Sequence, residues 1–402
     1  MLSFEESMAR MKALEIEAVG LEKVYLTDAL GRVLAEDIVA RENSPAYPTA
    51  AMDGYAIIGE EQKLGELEII ETNPAGRDTE GLRVVPGTAI KTFTGSLMPE
   101  GADTLIPIEN VTAEGNRVRI DEPVPVGFSV RPVGENFKEG EVLIGRGTTV
   151  GFAEIGVMAS LNVVAPPVVQ KPKAAILATG SEVLELGECS DNPARIYSSN
   201  NYTLEALVKA HGGEAVQMGT VHDDRAAITF AMKEALRSAD IVVTTGGVSV
   251  GDYDFVKDVV RDELGCDVVF KGVLIKPGQH VMVAQKENKF IVALPGFAYS
   301  STVTFILYAL PILYRLQGRE YTPPVVSARL LENYRKKTKN KTEFAACNLR
   351  LENGEYVCDF AGKRSGSSAI MTNLLGDAGL LWLDVGENEK EAGEQVKVLL
   401  LH

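Results

Sequence analysis

Cysteine and histidine are scarce in this 402-residue chain, with four of each. Cys189, Cys266, Cys347 and Cys358 are far apart and form no C-x-x-C pair, and the histidines are equally scattered. That spacing offers no zinc site, and the chain reads as a reduced, cytoplasmic protein. Basic residues are outnumbered, 40 Lys and Arg against 56 Asp and Glu, for a formal net charge of −16. This argues against nucleic acid or an anionic membrane as partner. It leaves an anionic small molecule open, because screening over about 8 Å lets local lysines and backbone donors outweigh a distant field. Met1-Leu-Ser-Phe-Glu-Glu-Ser has no basic region leading into an apolar one, so no signal peptide is expected. The apolar-rich stretch 290–314 is long enough to span a membrane. It is interrupted by Pro295, Gly296, four hydroxyl residues from Ser300 to Thr304, and Pro311. A strand at Phe290–Leu294, a Pro-Gly turn and a buried helix account for it better.

Familiar motifs are missing too. No G-x-x-x-x-G-K-[ST] occurs, since Gly362-Lys-Arg lacks both the upstream glycine and the hydroxyl. Gly246-Gly-x-x-x-Gly251 is not the dinucleotide fingerprint, and no G-x-S-x-G elbow appears. Low-complexity runs are absent, so the 38 glycines point to tight turns rather than disorder.

The length admits about three domains. Helical spacing covers 3–18 and 26–40, the latter opened by Thr27-Asp28 as a plausible cap. From 45 to 140 the chain consists of short strand-like runs (Leu67–Glu71, Ala89–Phe93, Thr104–Ile108, Arg117–Ile120) between Pro and Gly. Helix returns at 151–162, which makes the β-rich stretch an insertion. Strand candidates Ala174–Ala178, Ala215–Gly219, Ile241–Thr244 and Phe290–Leu294 then alternate with helices near 200–211, 224–238, 253–264 and 300–314, predicting a parallel sheet with helices on both faces. Past Gly318 the chain is strand-rich, with Asn353-Gly354 marking a type I′ hairpin. This gives four modules: a helical and linker domain from 1–44 and 141–170, the inserted β-rich domain 45–140, the α/β domain 171–318 and a C-terminal β domain 319–402.

Chemistry concentrates in the α/β module. Asp240-Ile-Val-Val-Thr-Thr-Gly-Gly-Val-Ser-Val-Gly-Asp-Tyr-Asp254 is a strand running into a glycine-rich, hydroxyl-rich loop before a helix. Unpaired backbone N–H groups at such a rim can hold an anion. Asp252 and Asp254 would repel a bare phosphate, and make sense if a divalent cation such as Mg²⁺ lies between. A helix N-terminus with acidic residues complementing its dipole is an equally open reading. Thr179-Gly-Ser-Glu182 and Leu294-Pro-Gly-Phe-Ala-Tyr-Ser-Ser301 end two further strands, and ligands of parallel sheets bind outside the strands' carboxyl ends. Lys271 and Lys276 approach the same neighbourhood. Each loop alone reads as a turn; their repetition points to a phosphate or oxyanion site. In the insertion, Asp53 precedes a glycine, as in any Asp-Gly turn, and Thr94 ends a strand.

Together, Ala51-Met-Asp-Gly-Tyr-Ala, Thr94-Gly-Ser, Val133-Gly-Glu, Ala178-Thr-Gly-Ser-Glu, Thr245-Gly-Gly-Val-Ser-Val-Gly-Asp-Tyr-Asp, Ile275-Lys-Pro-Gly and Leu294-Pro-Gly resemble the molybdopterin molybdenumtransferase family of bacterial MoeA and the gephyrin E domain. The match runs in order over nearly the whole chain. The resemblance implies a multidomain α/β plus β fold: a central MogA-like α/β domain with a mostly parallel sheet, a β-rich insertion and a C-terminal β-barrel-like domain. It also implies an elongated homodimer, with a cleft between the α/β domain of one subunit and the insertion of the other. The implied activity is insertion of molybdate into adenylylated molybdopterin, with Mg²⁺ required and AMP released. The upstream partner would be a MogA/MoaB-like molybdopterin adenylyltransferase.

Carried over position by position, the resemblance assigns Asp254, Glu182, Lys276 and Asp53 to catalysis and Asp254, Asp252 and Glu182 to the metal. It assigns Thr94, Thr179, Gly180, Ser181, Asp224, Gly246, Gly247, Ser249, Gly251, Pro295, Gly296, Ser300 and Ser367 to pterin-phosphate and molybdate binding. The departures are Asn136 where the family reads Asp, Gln279-His280 where it reads Lys-Pro, and Phe297-Ala298 where it reads Asn-Pro. One negative and one positive charge are lost, so the local sum is unchanged. A pterin-binding carrier or scaffold without insertion activity is the alternative function, and a nucleotide-dependent transferase unrelated to molybdenum is a third.

Overall fold

The computed structural model describes residues 1–248, 255–364 and 366–401. The chain separates into two compact units, 1–35 with 165–402, and 36–164. The second is thus inserted into the first, and the helix Phe152–Ser160 belongs to it.

The larger unit is built on a six-stranded sheet. Its strands are β1 (Lys173–Thr179), β2 (Glu214–Val221), β3 (Ile241–Thr245), β4 (Asp267–Lys271), and, after the two-residue strand β5 (Ile275–Lys276), β6 (Met282–Lys286) and β7 (Lys289–Leu294). The order across the sheet is β2-β1-β3-β7-β6-β4. The first four are parallel, and β6 and β4 continue the edge antiparallel. The near-continuous apolar runs of β1, β3 and β7 follow from burial on both faces. Ala174, Ile176, Ile241, Val243, Phe290 and Val292 join the core on one side, with Phe4, Val208, Tyr308 and Leu313. Ala175, Leu177, Val242, Ile291 and Ala293 join the other, with Ile228, Met232 and Val259. Successive side chains of a strand point to opposite faces, so one apolar run serves two cores.

The remainder of this unit is a closed five-stranded barrel: β8 (Val325–Leu330), β9 (Thr342–Glu352), β10 (Glu355–Asp359), β11 (Ala378–Leu383) and β12 (Gln395–Leu400). The order is β9-β10-β8-β12-β11, and β11 returns to β9. The β9–β10 hairpin turns at Asn353 (φ 51°) and Gly354 (φ 83°), the left-handed pair that a type I′ turn requires. β5 adds to β9 in parallel, pairing Ile275 with Thr342 and Lys276 with Glu343.

The inserted unit carries a separate six-stranded mixed sheet whose core includes Tyr55, Leu67, Ala89, Ile106 and Val118. Among the described residues no helix is long and apolar enough to cross a membrane. The stretch from 290 forms the strand, Pro-Gly turn and buried helical segment, the last running from Ala298 to Leu316 with a π turn at Phe305–Ala309.

Two helical expectations are corrected. The spacing over 26–40 forms only a 3₁₀ turn, Leu26–Ala29, because Leu30 turns extended (ψ 127°) and Gly31 takes φ 75°. The N-terminal helix is Phe4–Ala13 rather than 3–18. It is opened by a capping box in which Ser3 and Glu6 exchange side chain-to-amide bonds, and it ends at the extended Leu14.

Candidate functional site

β1 leads to β2 on one side, and the helix Arg225–Ser238 then carries the chain across to β3 on the other. The carboxyl ends of β1 and β3 therefore flank a point where strand order reverses, the place where open α/β sheets form a crevice. The residues there are the ones such a close approach demands. Gly246 (φ 88°) and Gly247 (φ 64°) follow β3. A Cβ at 246 would stand 2.5 Å from the Thr179 carbonyl oxygen, and one at 247 would stand 2.6 Å from Val256 Cγ2. The Gly246 amide donates to Leu294 O at 3.2 Å, tying the end of β3 to that of β7. After β7, the Gly296 carbonyl accepts from Asn200 Nδ2 at 2.8 Å. Three loops thus share one rim.

The rim forms one wall of a cleft of about 1200 Å³, and the opposite wall comes from the barrel side of the same unit. The Ser300 amide donates to Ser368 O at 3.1 Å, joining the 366–368 turn to the rim. Among the described residues the lining carries six cations (Lys276, Arg335, Lys337, Lys341, Lys363, Arg364) against four carboxylates (Glu182, Asp223, Glu332, Glu343). In a chain of net charge −16 this local surplus favours an anionic ligand.

Glu343 is nearly inaccessible, its side chain 5% exposed. It accepts from Tyr334 Oη at 2.7 Å and lies 3.4 Å from Lys276 Nζ through both oxygens. Burial, reinforced by the neighbouring Glu343 carboxylate, holds the Tyr334 hydroxyl well above its usual pKa, so it stays a donor. Burial also pulls the Lys336 ammonium below the ordinary lysine range; its Nζ donates to Asp384 O at 2.8 Å. Ser198 also lines the cleft, and its buried hydroxyl has no hydrogen-bond partner among the described residues.

This arrangement can grip phosphate or oxyanion oxygens. It also has hard oxygen donors for Mg²⁺, since Glu182 and Asp223 both line the rim. That fits an ion usually held by one or two carboxylates, several waters and substrate phosphate. No group of three or more His, Cys, Asp or Glu side chains gathers at one point among the described residues.

The sequence comparisons agree with the geometry. Residues 2–162 match the profile described as "MoeA N-terminal region (domain I and II)", and residues 175–315 match the one described as "Probable molybdopterin binding domain". A molybdopterin molybdenumtransferase of a Nostoc species is 33% identical over 391 residues, covering 94% of this chain and 88% of that protein. The chain belongs to the molybdopterin molybdenumtransferase family. A Bacillus subtilis protein of the same name is 30% identical, covering 94% of the chain and 90% of that protein. A molybdopterin biosynthesis MoeA protein of Pyrococcus horikoshii has a structure superposing with a TM-score of 0.86 at 27% identity, over 100% of this chain and 99% of that one.

Within this molybdenumtransferase, Thr179, Gly180, Glu182, Gly246, Gly247, Lys276, Pro295, Gly296, Ser300 and Ser367 all line the one cleft. Ser181 is not a lining residue; its amide donates to Asp223 Oδ2 at 3.2 Å. Asp224 caps the helix Arg225–Ser238, accepting from the Ala227 amide at 2.8 Å, and it is the adjacent Asp223 that faces the cleft. Ser249, Gly251, Asp252 and Asp254 lie outside the described residues. Asp53 and Thr94 come together in the inserted unit. Asp53 Oδ1 accepts from the Thr94 amide at 2.8 Å and its hydroxyl at 2.7 Å. These bonds, the backbone one foremost, hold the Asp53 carboxyl below its usual range. Asp53 borders a separate hollow of about 280 Å³ with Tyr55 and Lys91.

Sequence reasoning missed Asp223, Tyr334, Lys337, Lys341 and Glu343. A signal for the lysines was present: Arg335-Lys-Lys-Thr-Lys-Asn-Lys341 places five cations in seven residues of an acidic chain.

Proposed function

We propose that the chain inserts molybdate into adenylylated molybdopterin, releasing AMP in a Mg²⁺-dependent reaction. Membership of the molybdenumtransferase family places it in molybdenum cofactor biosynthesis. The finer reading is carried by one observation: a glycine-lined strand-order reversal opens into a cleft with a cationic surplus. In this reading the phosphate lies against the Gly246–Gly247 turn, whose φ of 88° and 64° and tight packing on Thr179 and Val256 call for glycine. Lys276 and Ser300 serve the oxyanion end, near the pterin sulfurs. Glu182, with Asp252 and Asp254, would hold Mg²⁺, which when bound supplies neutralisation of the charge that develops as the anhydride bond to AMP breaks. Asp53, kept ionised by the Thr94 amide and hydroxyl, contributes from the inserted unit. A homodimer, a cytoplasmic location and a MogA/MoaB-like adenylyltransferase as supplier of the substrate belong to the same proposal.

The test is AMP release from adenylylated molybdopterin with and without molybdate, at saturating Mg²⁺ and after chelation. Molybdate- and Mg²⁺-dependent AMP release, abolished by Asp254→Ala, is the expected result. Full occupancy by the adenylylated pterin with no molybdate-dependent AMP release would replace the insertase with the carrier or scaffold reading.

A further inference from the structure

Between the end of β7 and the buried helix Ala298–Thr304, one large apolar side chain is left outside. It is Phe297, 61% exposed on the lining of the cleft. A single exposed phenylalanine carries little weight on a protein surface, but the setting of this one does. The backbone on either side is fixed. Gly296 O accepts from Asn200 Nδ2 at 2.8 Å, and Phe297 O accepts from the Ser301 amide at 2.9 Å. Ser301 Oγ donates to Asn200 Oδ1 at 3.1 Å, so one asparagine braces both the strand end and the helix start. Gly296 also packs on the glycine turn after β3, where a Cβ added to it would stand 3.7 Å from Gly246 Cα. The phenyl group therefore starts from a fixed point beside the turn assigned to phosphate. Ile196 and Tyr197, exposed too, line the same cleft a few residues ahead of Asn200. Exposed apolar faces beside a few polar groups are the usual lining for an organic ligand.

We propose that Phe297 is the face on which this cleft stacks the planar fused-ring heterocycle joined to the phosphate at the Gly246–Gly247 turn. Position 297, where the family resemblance calls for asparagine, carries no hydrogen-bonding side chain here. An amide can read the edge of a ring. A phenyl group covers its face instead, and removes exposed apolar area from water in doing so. The proposal rests on the insertase reading for the identity of the ligand. Adenylylated molybdopterin carries two such rings, a pterin and an adenine, and the test tells them apart.

The experiment titrates the full chain by calorimetry with molybdopterin, with AMP and with inorganic phosphate, each alone, then measures molybdate-dependent AMP release. Phe297→Ala should weaken binding of molybdopterin or of AMP about tenfold, the loss of one stacked ring, and the ligand that loses affinity names the ring. Phosphate binding should change less than twofold. Phe297→Tyr should keep most of the affinity. Phe230→Ala removes another exposed phenyl group, from the helix Arg225–Ser238 outside the cleft, and should change nothing. Unfolding midpoints matching the unaltered chain establish that each variant is folded. Unchanged affinity for both ring-bearing ligands in Phe297→Ala, an equal loss for phosphate, or an equal loss in Phe230→Ala would overturn the assignment. Phe297-dependent binding in a chain that releases no AMP with molybdate would refute the insertase reading and leave this one standing. Molybdate-dependent AMP release whose KM for the adenylylated pterin is indifferent to Phe297→Ala would do the reverse.

Discussion

Gly246→Ala tests whether the approach of β1 and β3 at the strand-order reversal is as tight as the geometry requires. Two costs add at this position. The backbone takes φ 88°, where an L-residue pays about 1–2 kcal/mol. The new methyl would also lie 2.5 Å from the Thr179 carbonyl oxygen, well inside the ~3.5 Å at which non-bonded heavy atoms rest comfortably. That oxygen belongs to the backbone of β1, so no rotamer change relieves the clash, and overpacking of this kind costs about 1–3 kcal/mol. The expected destabilisation is roughly 2–5 kcal/mol. Gly265→Ala isolates the first cost, since Gly265 has φ 61° and open space around it. The chain's single tryptophan, Trp382, packs against Phe4 and Phe344 in the same compact unit, so its fluorescence in urea reports the unit that holds Gly246. With a urea slope of about 3 kcal/mol/M, the steric share should lower the midpoint of Gly246→Ala by roughly 0.3–1 M beyond that of Gly265→Ala. Coincident midpoints would refute the tight-approach argument and, with it, the claim that glycine is required there.

Asp224→Ala should cost about 1 kcal/mol through the lost helix cap and leave molybdate affinity unchanged, whereas Asp223→Ala should alter ligand affinity; calorimetry on both separates cap from lining residue. Glu343→Gln should lower stability by about 1–3 kcal/mol, less than the roughly 3–5 kcal/mol of a fully buried broken pair because Lys276 is 27% exposed. It should also tighten molybdate binding, since Lys276 would regain its field; weaker binding would count against a Lys276 charge offset by Glu343. Alkaline stability should fall early. Burial raises the hydroxyls of Tyr299, Tyr308 and Tyr334 well above their usual value of 10, and that of Tyr321 to about 12. The folded chain then binds more protons than the unfolded one above pH 10. The tyrosines' contribution is complete below pH 10 and is lost as pH rises through their folded values. A thermal midpoint that stays flat between pH 10 and 12 would contradict this.

The α/β sheet was legible because burial on both faces leaves apolar runs that glycine and proline terminate, and those terminators mark the crevice. The lysine wall was not. Lys276 and Glu343 are 67 residues apart, and Gln279 and Lys341 are 62 apart. Only the addition of β5 to β9 brings them together, and two residues of strand carry almost no signal of their own. The Asp223–Asp224 choice was equally invisible, because either carboxylate can cap a helix and geometry selects the one whose oxygen reaches the Ala227 amide. The misplaced helix at 26–40 has the opposite cause. Its local pattern was helical, and Gly31 in the left-handed region ended it after one turn.

Position 297 shows that holding a rim in place and furnishing it for a ligand are separable tasks. Asn200 fixes Gly296, the Ser301 amide fixes Phe297 O, and Ser300 is tied to Ser368, all without help from the phenyl ring. The side chain at 297 can therefore change while the backbone around it stays. Phe297→Ala should leave stability within about 0.5 kcal/mol, the range of ordinary surface substitutions, because the ring is 61% exposed. At a urea slope of about 3 kcal/mol/M, the midpoint followed through Trp382 should then move by less than roughly 0.2 M. Affinity for the stacked ring should nevertheless fall about tenfold in the same variant. A midpoint lowered as far as in Gly246→Ala would mean that the phenyl ring is packed into the fold rather than presented to a ligand, and the stacking assignment would fail with it.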